Sequence, residues 1–196
     1  KVRGYIQSGV QCFKGIHYGA DTATTRFQPP KKALAWSDVK ECIQWSTRAP
    51  QGNAASASMR PRPNTANPTP RRAGGFRLPP DLGPMSEDCL HLNVWTTGLR
   101  DHRKRPVLCY FHGGAYNNGT VNSELYDGVS LARTGEVVVV TVNHRLNSFG
   151  YLYLAELGGP SFSDSGNSGQ LDLILSLEWI RDNIANFGGD PNRVTI

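Results

Sequence analysis

Apolar and polar positions change period along the chain, and the changes divide it into elements. Residues 2–7 and 10–13 are short strand-like runs joined by Ser8-Gly9. A two-residue connection of this kind suits a hairpin, because glycine tolerates positive φ. Residues 15–30 are turn-rich. Further on, residues 90–95 alternate enough to predict a strand, and residues 107–111 and 137–143 are continuous β-branched and apolar runs. Such runs fit strands covered on both faces by helices. Between them, residues 124–133 predict a helix that Gly135 would stop.

The strongest helical pattern lies near the end. Leu173, Leu177, Ile180 and Ile184 form one apolar row, and Leu171, Leu175 and Trp179 form a second beside it, a broad face suited to packing against a sheet. Gly188-Gly189 predicts its end, Asp190-Pro191 a turn, and Val194-Thr195-Ile196 the start of another β-branched run. Strands alternating with helices predict an α/β fold: a mostly parallel central sheet with flanking helices and a small N-terminal β-hairpin.

With 196 residues, 38% of them hydrophobic and 19% charged, the chain is long enough for one sizeable domain. The composition excludes a coiled coil, a collagen repeat and a wholly disordered chain. No apolar run approaches the roughly 18 to 20 residues of a membrane-spanning helix. No secretory leader pattern opens the sequence, and the compartment stays open.

The net charge of +5 is local. Residues 42–80 contain no acidic residue and six arginines, Arg48, Arg60, Arg62, Arg71, Arg72 and Arg77, so the remainder of the chain is close to neutral. Seven prolines from Pro50 to Pro80 share this stretch, the composition of a long irregular loop. It contains no recognisable nucleic-acid module, so it is read as a solvated loop and no nucleic-acid partner is expected. The chain divides into 1–48, hairpin and turns; 49–85, the Pro/Arg-rich loop; and 86–196, the first part of an α/β core. Cys12, Cys42, Cys89 and Cys109 show no C-x-x-C spacing, which speaks against zinc and thioredoxin-type redox sites; no metal is expected.

Phe111-His112-Gly113-Gly114-Ala115-Tyr116 follows the run 107–111 directly. Small residues just past a strand leave backbone N–H groups free to stabilise an oxyanion that develops in acyl transfer. This corresponds to the HGGG-type loop of α/β-hydrolases.

Other segments accompany that loop in a fixed order: Ser86-Glu87-Asp88-Cys89-Leu90-His91-Leu92-Asn93-Val94-Trp95 before it, and after it Asn143-His144-Arg145-Leu146-Asn147, Gly166-Asn167-Ser168-Gly169-Gln170-Leu171-Asp172 and Phe187-Gly188-Gly189-Asp190-Pro191. Phe13-Lys14-Gly15-Ile16-His17-Tyr18-Gly19-Ala20 and Arg26-Phe27 open the series. The chain closely resembles the type-B carboxylesterase family, which includes the cholinesterases, everywhere except the arginine loop.

The resemblance implies roles residue by residue. Gly114 and Ala115 match the positions whose backbone N–H groups form the oxyanion hole, Gly113 supports the loop, and Tyr116 is a substrate-binding candidate. Arg26 with Glu87, and Arg145 with Asp172, resemble structural ion pairs. His112, His91 and His144 are read as packing residues, because the family's catalytic base lies much further along the chain. Ala115 stands where many relatives have glycine, and its Cβ implies poor turnover of bulky tertiary-alcohol esters. Cys89 matches one end of a disulfide of secreted relatives, whose partner position corresponds here to Ala49, so free thiols are expected. No tryptophan occurs in 76–85, which disfavours a choline ester. The Asn118-Gly119-Thr120 sequon is read as incidental.

In this family the strand begun by Val194-Thr195-Ile196 runs into G-x-S-x-G, whose serine attacks the ester. Serine, acid and histidine are therefore expected beyond residue 196, on a C-terminal remainder of the hydrolase that accompanies this chain. Residues 1–196 alone are expected to be inactive. Three functional classes follow: part of a serine hydrolase acting on a small-molecule ester without cofactor, a non-catalytic cholinesterase-like binding or adhesion module, and a basic anion-binding protein. The small-residue loop favours the first.

Overall fold

The computed structural model describes residues 1–52 and 82–196. Arg60, Arg62, Arg71, Arg72 and Arg77, with most of the 49–85 segment, lie outside the described residues. Among the described residues there are eight strands: β1 (Val2–Arg3), β2 (Tyr5–Gln7), β3 (Val10–His17), β4 (Lys40–Glu41), β5 (His91–Thr96), β6 (Arg105–Phe111), β7 (Val138–Val142) and β8 (Gly189–Thr195). The α-helices are α1 (Val129–Gly135), α2 (Asn147–Tyr151), α3 (Ala155–Gly158) and α4 (Ser168–Asn183).

Six strands form one sheet in the order β2-β3-β5-β7-β6-β8. Pairing is antiparallel from β2 through β7 and parallel across β7, β6 and β8. The β2–β3 hairpin turns through Ser8 and Gly9 with φ of 52° and 80°, the paired positive values of a tight hairpin turn. β1 and β4 pair separately, in parallel.

Side-chain alternation distributes the core over both faces. Val138, Val140 and Val142 of β7 join Phe13, Leu92, Val94 and Val107 in the larger cluster, which α4 covers with Leu175 and Ile180. Val139 faces the other way and packs with Cys12, Trp95, Val129 and Ala132 beneath α1. The two helices must take opposite faces. The β6-to-β7 and β7-to-β8 connections travel in opposite directions along the sheet, and crossovers of one hand then lie on opposite sides.

The observed elements differ from the sequence pattern where tertiary contacts intervene. The run 2–7 is split at Gly4, where a Cβ would lie 2.2 Å from the carbonyl oxygen of Cys12. β3 continues to His17 through residues expected to turn. The bulge between Phe13 and Ile16 is accommodated at Gly15, with φ of 74°, whose N–H donates to Asn93 Oδ1 at 2.9 Å. The helix expected over 124–133 is two pieces, a 3-10 turn at Glu124–Tyr126 and α1. They part near Gly128, where a Cβ would meet the Trp95 ring at 2.8 Å, and α1 runs through Gly135 to a left-handed Glu136.

The α4 face is also rotated from its apolar rows. Ser168, Gly169, Asp172, Leu175, Ser176 and Ile180 are buried, whereas Ile174 is exposed and Leu173 and Leu177 are half-buried. Small and polar residues occupy the inner stripe because the helix packs against Tyr151 and Arg145. A Cβ on Gly169 would meet the Tyr151 ring at 2.5 Å. β8 starts at Gly189, ahead of the expected 194. It touches β6 at Gly189, bulges through the Asp190 turn, and rejoins at Val194 opposite Val107.

All four cysteines are buried free thiols. Burial pushes the Cys42 thiol up to about 11 and Cys109 up to about 12, values at which neither is a nucleophile near neutral pH. No helix among the described residues is long and apolar enough to cross a membrane.

Candidate active site

The sheet topology marks one position for a ligand. Chain leaving β6 crosses toward α1, and chain leaving β7 crosses toward α4, so a crevice opens between their carboxyl ends. Open α/β sheets bind ligands at such switch points. His112 follows β6 and His144 follows β7, and their rings stack across this gap at 4.7 Å and 11°.

The loop after β6 is held in an unusual backbone conformation. Gly114 has φ of 119°, Ala115 of 54° and Gly119 of 128°. A Cβ on Gly114 would stand 1.9 Å from the Asn118 carbonyl oxygen, and one on Gly119 would stand 2.2 Å from His112 Nδ1. Glycine is therefore demanded at both positions. Gly113 differs: its φ is not positive, and a Cβ there would meet nothing within 4 Å. The space above it is open.

Carbonyl directions fix where the N–H groups point. The Gly114 carbonyl accepts from the N–H groups of Asn117 and Asn118, each at 3.3 Å. Across a trans peptide the Ala115 N–H points the opposite way. The Gly113 carbonyl accepts from His112 Nδ1 at 3.0 Å, which directs the Gly114 N–H outward by the same geometry. Among the described residues, the N–H groups of Gly113, Gly114 and Ala115 donate to no protein acceptor, and all three residues are exposed.

Several side chains hold this loop. Gln51 grips Gly119 from both sides, Nε2 donating to its carbonyl and Oε1 accepting from its N–H, both at 2.8 Å. Asn143 accepts on Oδ1 from the Val121 N–H at 2.9 Å and from the Thr120 hydroxyl at 3.0 Å, while its Nδ2 donates to Asn122 Oδ1. The Asn147 N–H donates to the Tyr116 carbonyl at 2.7 Å. The Tyr116 side chain is 59% exposed, its ring 4.5 Å from that of Tyr151. Gln51 sits in the proline-rich stretch, where no periodicity distinguishes it. Asn143 ends a β-branched run as an ordinary polar residue, and only its network reveals its role.

Two charged pairs link separate segments of the chain. Arg145 and Asp172 are almost completely buried, with Nη2 to Oδ1 at 2.6 Å and Nε to Oδ2 at 2.9 Å. The Arg145 backbone N–H also donates to Asp172, and its guanidinium reaches the carbonyls of Gln28 and Ser168. Burial pushes the Asp172 carboxyl up against the opposing pull of Arg145, while Arg145 is raised further by that carboxylate and stays protonated. Arg26 and Glu87 form a more exposed fork, with Nε to Oε2 at 2.7 Å, and the Glu87 carboxylate holds the Arg26 guanidinium above its ordinary value.

Both crevice histidines are neutral near pH 7. Burial pushes His112 down to about 4, aided by His144, and burial also lowers His144. A histidine whose folded value lies below its ordinary 6.5 binds its proton more readily when unfolded. Stability is therefore lost as pH falls from about 6.5 toward 4, by at most about 3 kcal/mol for His112. Urea midpoints measured across that range should fall more steeply in the parent protein than in His112→Gln. Equal slopes would show that the ring titrates freely.

The family model for the carboxylesterase family matches residues 1–196. Para-nitrobenzyl esterase of Bacillus subtilis is 36% identical over 198 residues, covering all of this chain and 36% of the esterase. Neuroligin-2 of Mus musculus is 35% identical across 94% of the chain and 23% of its own length. Among solved structures, the Geobacillus stearothermophilus carboxylesterase EST55 superimposes with a TM-score of 0.82 at 37% identity, over all of this chain and 35% of that one. The chain thus spans about a third of the length of the esterases that it matches.

Proposed function

The chain belongs to the carboxylesterase family, and from that premise we propose that it supplies the oxyanion-binding part of a serine carboxylester hydrolase. The observation that carries this reading is the run of outward N–H groups at Gly114 and Ala115, without a protein acceptor among the described residues, beside open space at Gly113. Donors fixed in advance stabilise the negative charge of a tetrahedral intermediate without reorganising.

The nucleophile comes from polypeptide outside residues 1–196. Thr195 is paired with Leu108, so chain continuing β8 would run beside Cys109, Tyr110 and Phe111 and emerge next to the glycine loop. A serine there attacks the ester carbonyl, a histidine takes its proton and passes it to the departing alcohol, and water then releases the acid from the acyl-enzyme. The Gly114 and Ala115 N–H groups bind the carbonyl oxygen while it carries charge. The Ala115 Cβ narrows the site against branched alcohols, and the Tyr116 ring flanks it. This acyl transfer draws on no cofactor, and residues 1–196 alone do not perform it.

A non-catalytic binding module on the same fold is the second reading, supported by the similarity to neuroligin-2. One experiment separates them. The complete protein, comprising this chain and any polypeptide joined to or associated with it, is treated with a fluorophosphonate and analysed by mass. Stoichiometric labelling of one serine is expected, with loss of p-nitrophenyl acetate hydrolysis. Ala115→Gly is expected to raise the rate on a tert-butyl ester relative to a primary one. Absence of both labelling and hydrolysis would leave the binding module.

A further inference from the structure

At the same end of the sheet, but on strands the proposed hydrolysis does not use, three side chains converge. His17 ends β3 and His91 opens β5, directly opposite in the antiparallel register. Their Nε2 atoms are 3.0 Å apart. Asp88, in the segment entering β5, places both carboxylate oxygens 3.4 Å from His17 Nε2. One ligand atom from each residue lies within 4.8 Å of the others, and among the described residues no second group of His, Cys, Asp or Glu side chains is so disposed.

Hydrogen bonding alone satisfies this triangle poorly. A proton on His17 Nε2 must be shared between His91 and Asp88, and without that proton two lone-pair groups face each other. Among the described residues, Asp88 Oδ1 is shielded from water and makes no hydrogen bond, and His91 is only 4% exposed. Unpartnered buried polar atoms are uncommon and call for a cause. A central cation accounts for the convergence of the Nε2 and carboxylate atoms. Nitrogen and oxygen ligands about 2.0–2.2 Å from a tetrahedral ion stand roughly 3.3 Å from one another, close to the observed 3.0 and 3.4 Å.

We propose that His17, Asp88 and His91 form a binding site for a divalent transition-metal ion of the zinc type. Two imidazoles and one carboxylate favour such an ion over magnesium or calcium, which take oxygen ligands. The His17 and Asp88 side chains are 28% and 37% exposed, so the ion has an entry path and water completes its coordination. Lys40 is the nearby cation acting on Asp88, and it lowers the affinity without occupying the triangle. The ion is structural. β5 lies two strands from β6, about 10 Å by strand spacing, and the ion ties β3 to the entry of β5. The clamp also adjoins the glycine loop: the His91 carbonyl accepts from the Asn143 N–H at 2.9 Å, and Asn143 holds Val121 and Thr120.

The complete protein, stripped with a chelator, should bind Zn²⁺ in titration calorimetry and give visible Co²⁺ absorption bands of a low-coordinate nitrogen–oxygen site. Zn²⁺ should raise the unfolding temperature, and Mg²⁺ should not. His17→Gln and Asp88→Asn are partly exposed and should fold, with unfolding temperatures in chelator near the parent's, yet each should bind Zn²⁺ at least about tenfold more weakly and lose the Co²⁺ bands. His91→Gln should do the same where it folds. Failure of the parent to bind Zn²⁺, or unchanged binding in both His17→Gln and Asp88→Asn, would overturn the site. Ester hydrolysis is not the readout, so this outcome is independent of the proposed activity.

Discussion

Asp172→Ala is expected to be the most destabilising single substitution among the residues singled out by the sequence, at about 3–5 kcal/mol. The carboxylate is completely buried and accepts from Arg145 Nε, Nη2 and backbone N–H. Its removal leaves a guanidinium in the interior with two carbonyls and no counter-charge. Folded domains hold only about 5–15 kcal/mol in total, so the variant should accumulate poorly and unfold at markedly lower urea. Asp172→Asn should cost less, because an acceptor oxygen remains. The double variant Arg145→Met with Asp172→Leu should recover much of the loss, since the penalty comes from an unpaired charge rather than from the absence of a bond. Equilibrium unfolding of the three proteins provides the check. A loss below about 1 kcal/mol in Asp172→Ala would mean that water reaches Arg145 and that the pair is not a buried anchor.

The effect reaches the crevice through the chain itself. Arg145 directly follows His144, whose ring stacks on His112, and the Arg145 carbonyl accepts from His144 Nδ1 at 3.0 Å. Arg145 also ties the carbonyl of Gln28 to α4. One ion pair therefore joins the turn before residue 30, the loop after β7 and the first turns of α4. Losing it should lower activity and stability together, unlike a change confined to the glycine loop.

Sequence patterning located the strands best where burial is symmetrical. Val138–Val142 is buried along its whole length, and continuous β-branched residues have few other uses. It located α4 but not its inner face, because that face carries Ser168, Asp172 and Ser176. A hydrophobic pattern is blind to a stripe selected for hydrogen bonding to another loop. The break at Gly128 and the split at Gly4 are likewise set by distant partners, Trp95 and the Cys12 carbonyl, which local propensity does not contain. The same holds for the convergence of His17, Asp88 and His91. His17 and His91 are 74 positions apart, and only the β3–β5 register brings them face to face.

The glycine loop was more legible, since glycines immediately after a buried strand point to backbone chemistry whatever the fold. The differing duties of those glycines were not. Gly114 and Gly119 are fixed by close approach of neighbouring atoms, whereas Gly113 borders open space, and composition treats all three alike. Ala115 adopts φ of 54° without being glycine, a conformation that costs roughly 1–2 kcal/mol for a residue with a Cβ. The loop's hydrogen bonds to Asn147 and Gln51 offset that cost and hold the N–H groups outward.

Gly114→Ala in the complete protein is expected to abolish most esterase activity while leaving the fold intact. A Cβ at this residue would collide with the Asn118 carbonyl at 1.9 Å and must also adopt φ of 119°, so the turn has to open. Opening it releases the Gly114 carbonyl from the N–H groups of Asn117 and Asn118, and the Ala115 N–H rotates with the same peptide. Losing one oxyanion donor costs about 10²–10³ in kcat. The N–H groups act on charge that exists only during reaction, so kcat should fall with little change in KM. Fluorophosphonate labelling should slow in parallel, because its transition state also places charge on an oxygen. The loop is exposed and contributes little to either core cluster, so the unfolding midpoint should stay near that of the parent. A kcat within about threefold of the parent, in a variant shown to be folded, would remove these N–H groups from the mechanism. A large change in KM alone would instead mean that the loop shapes the substrate pocket without stabilising the reacting oxygen.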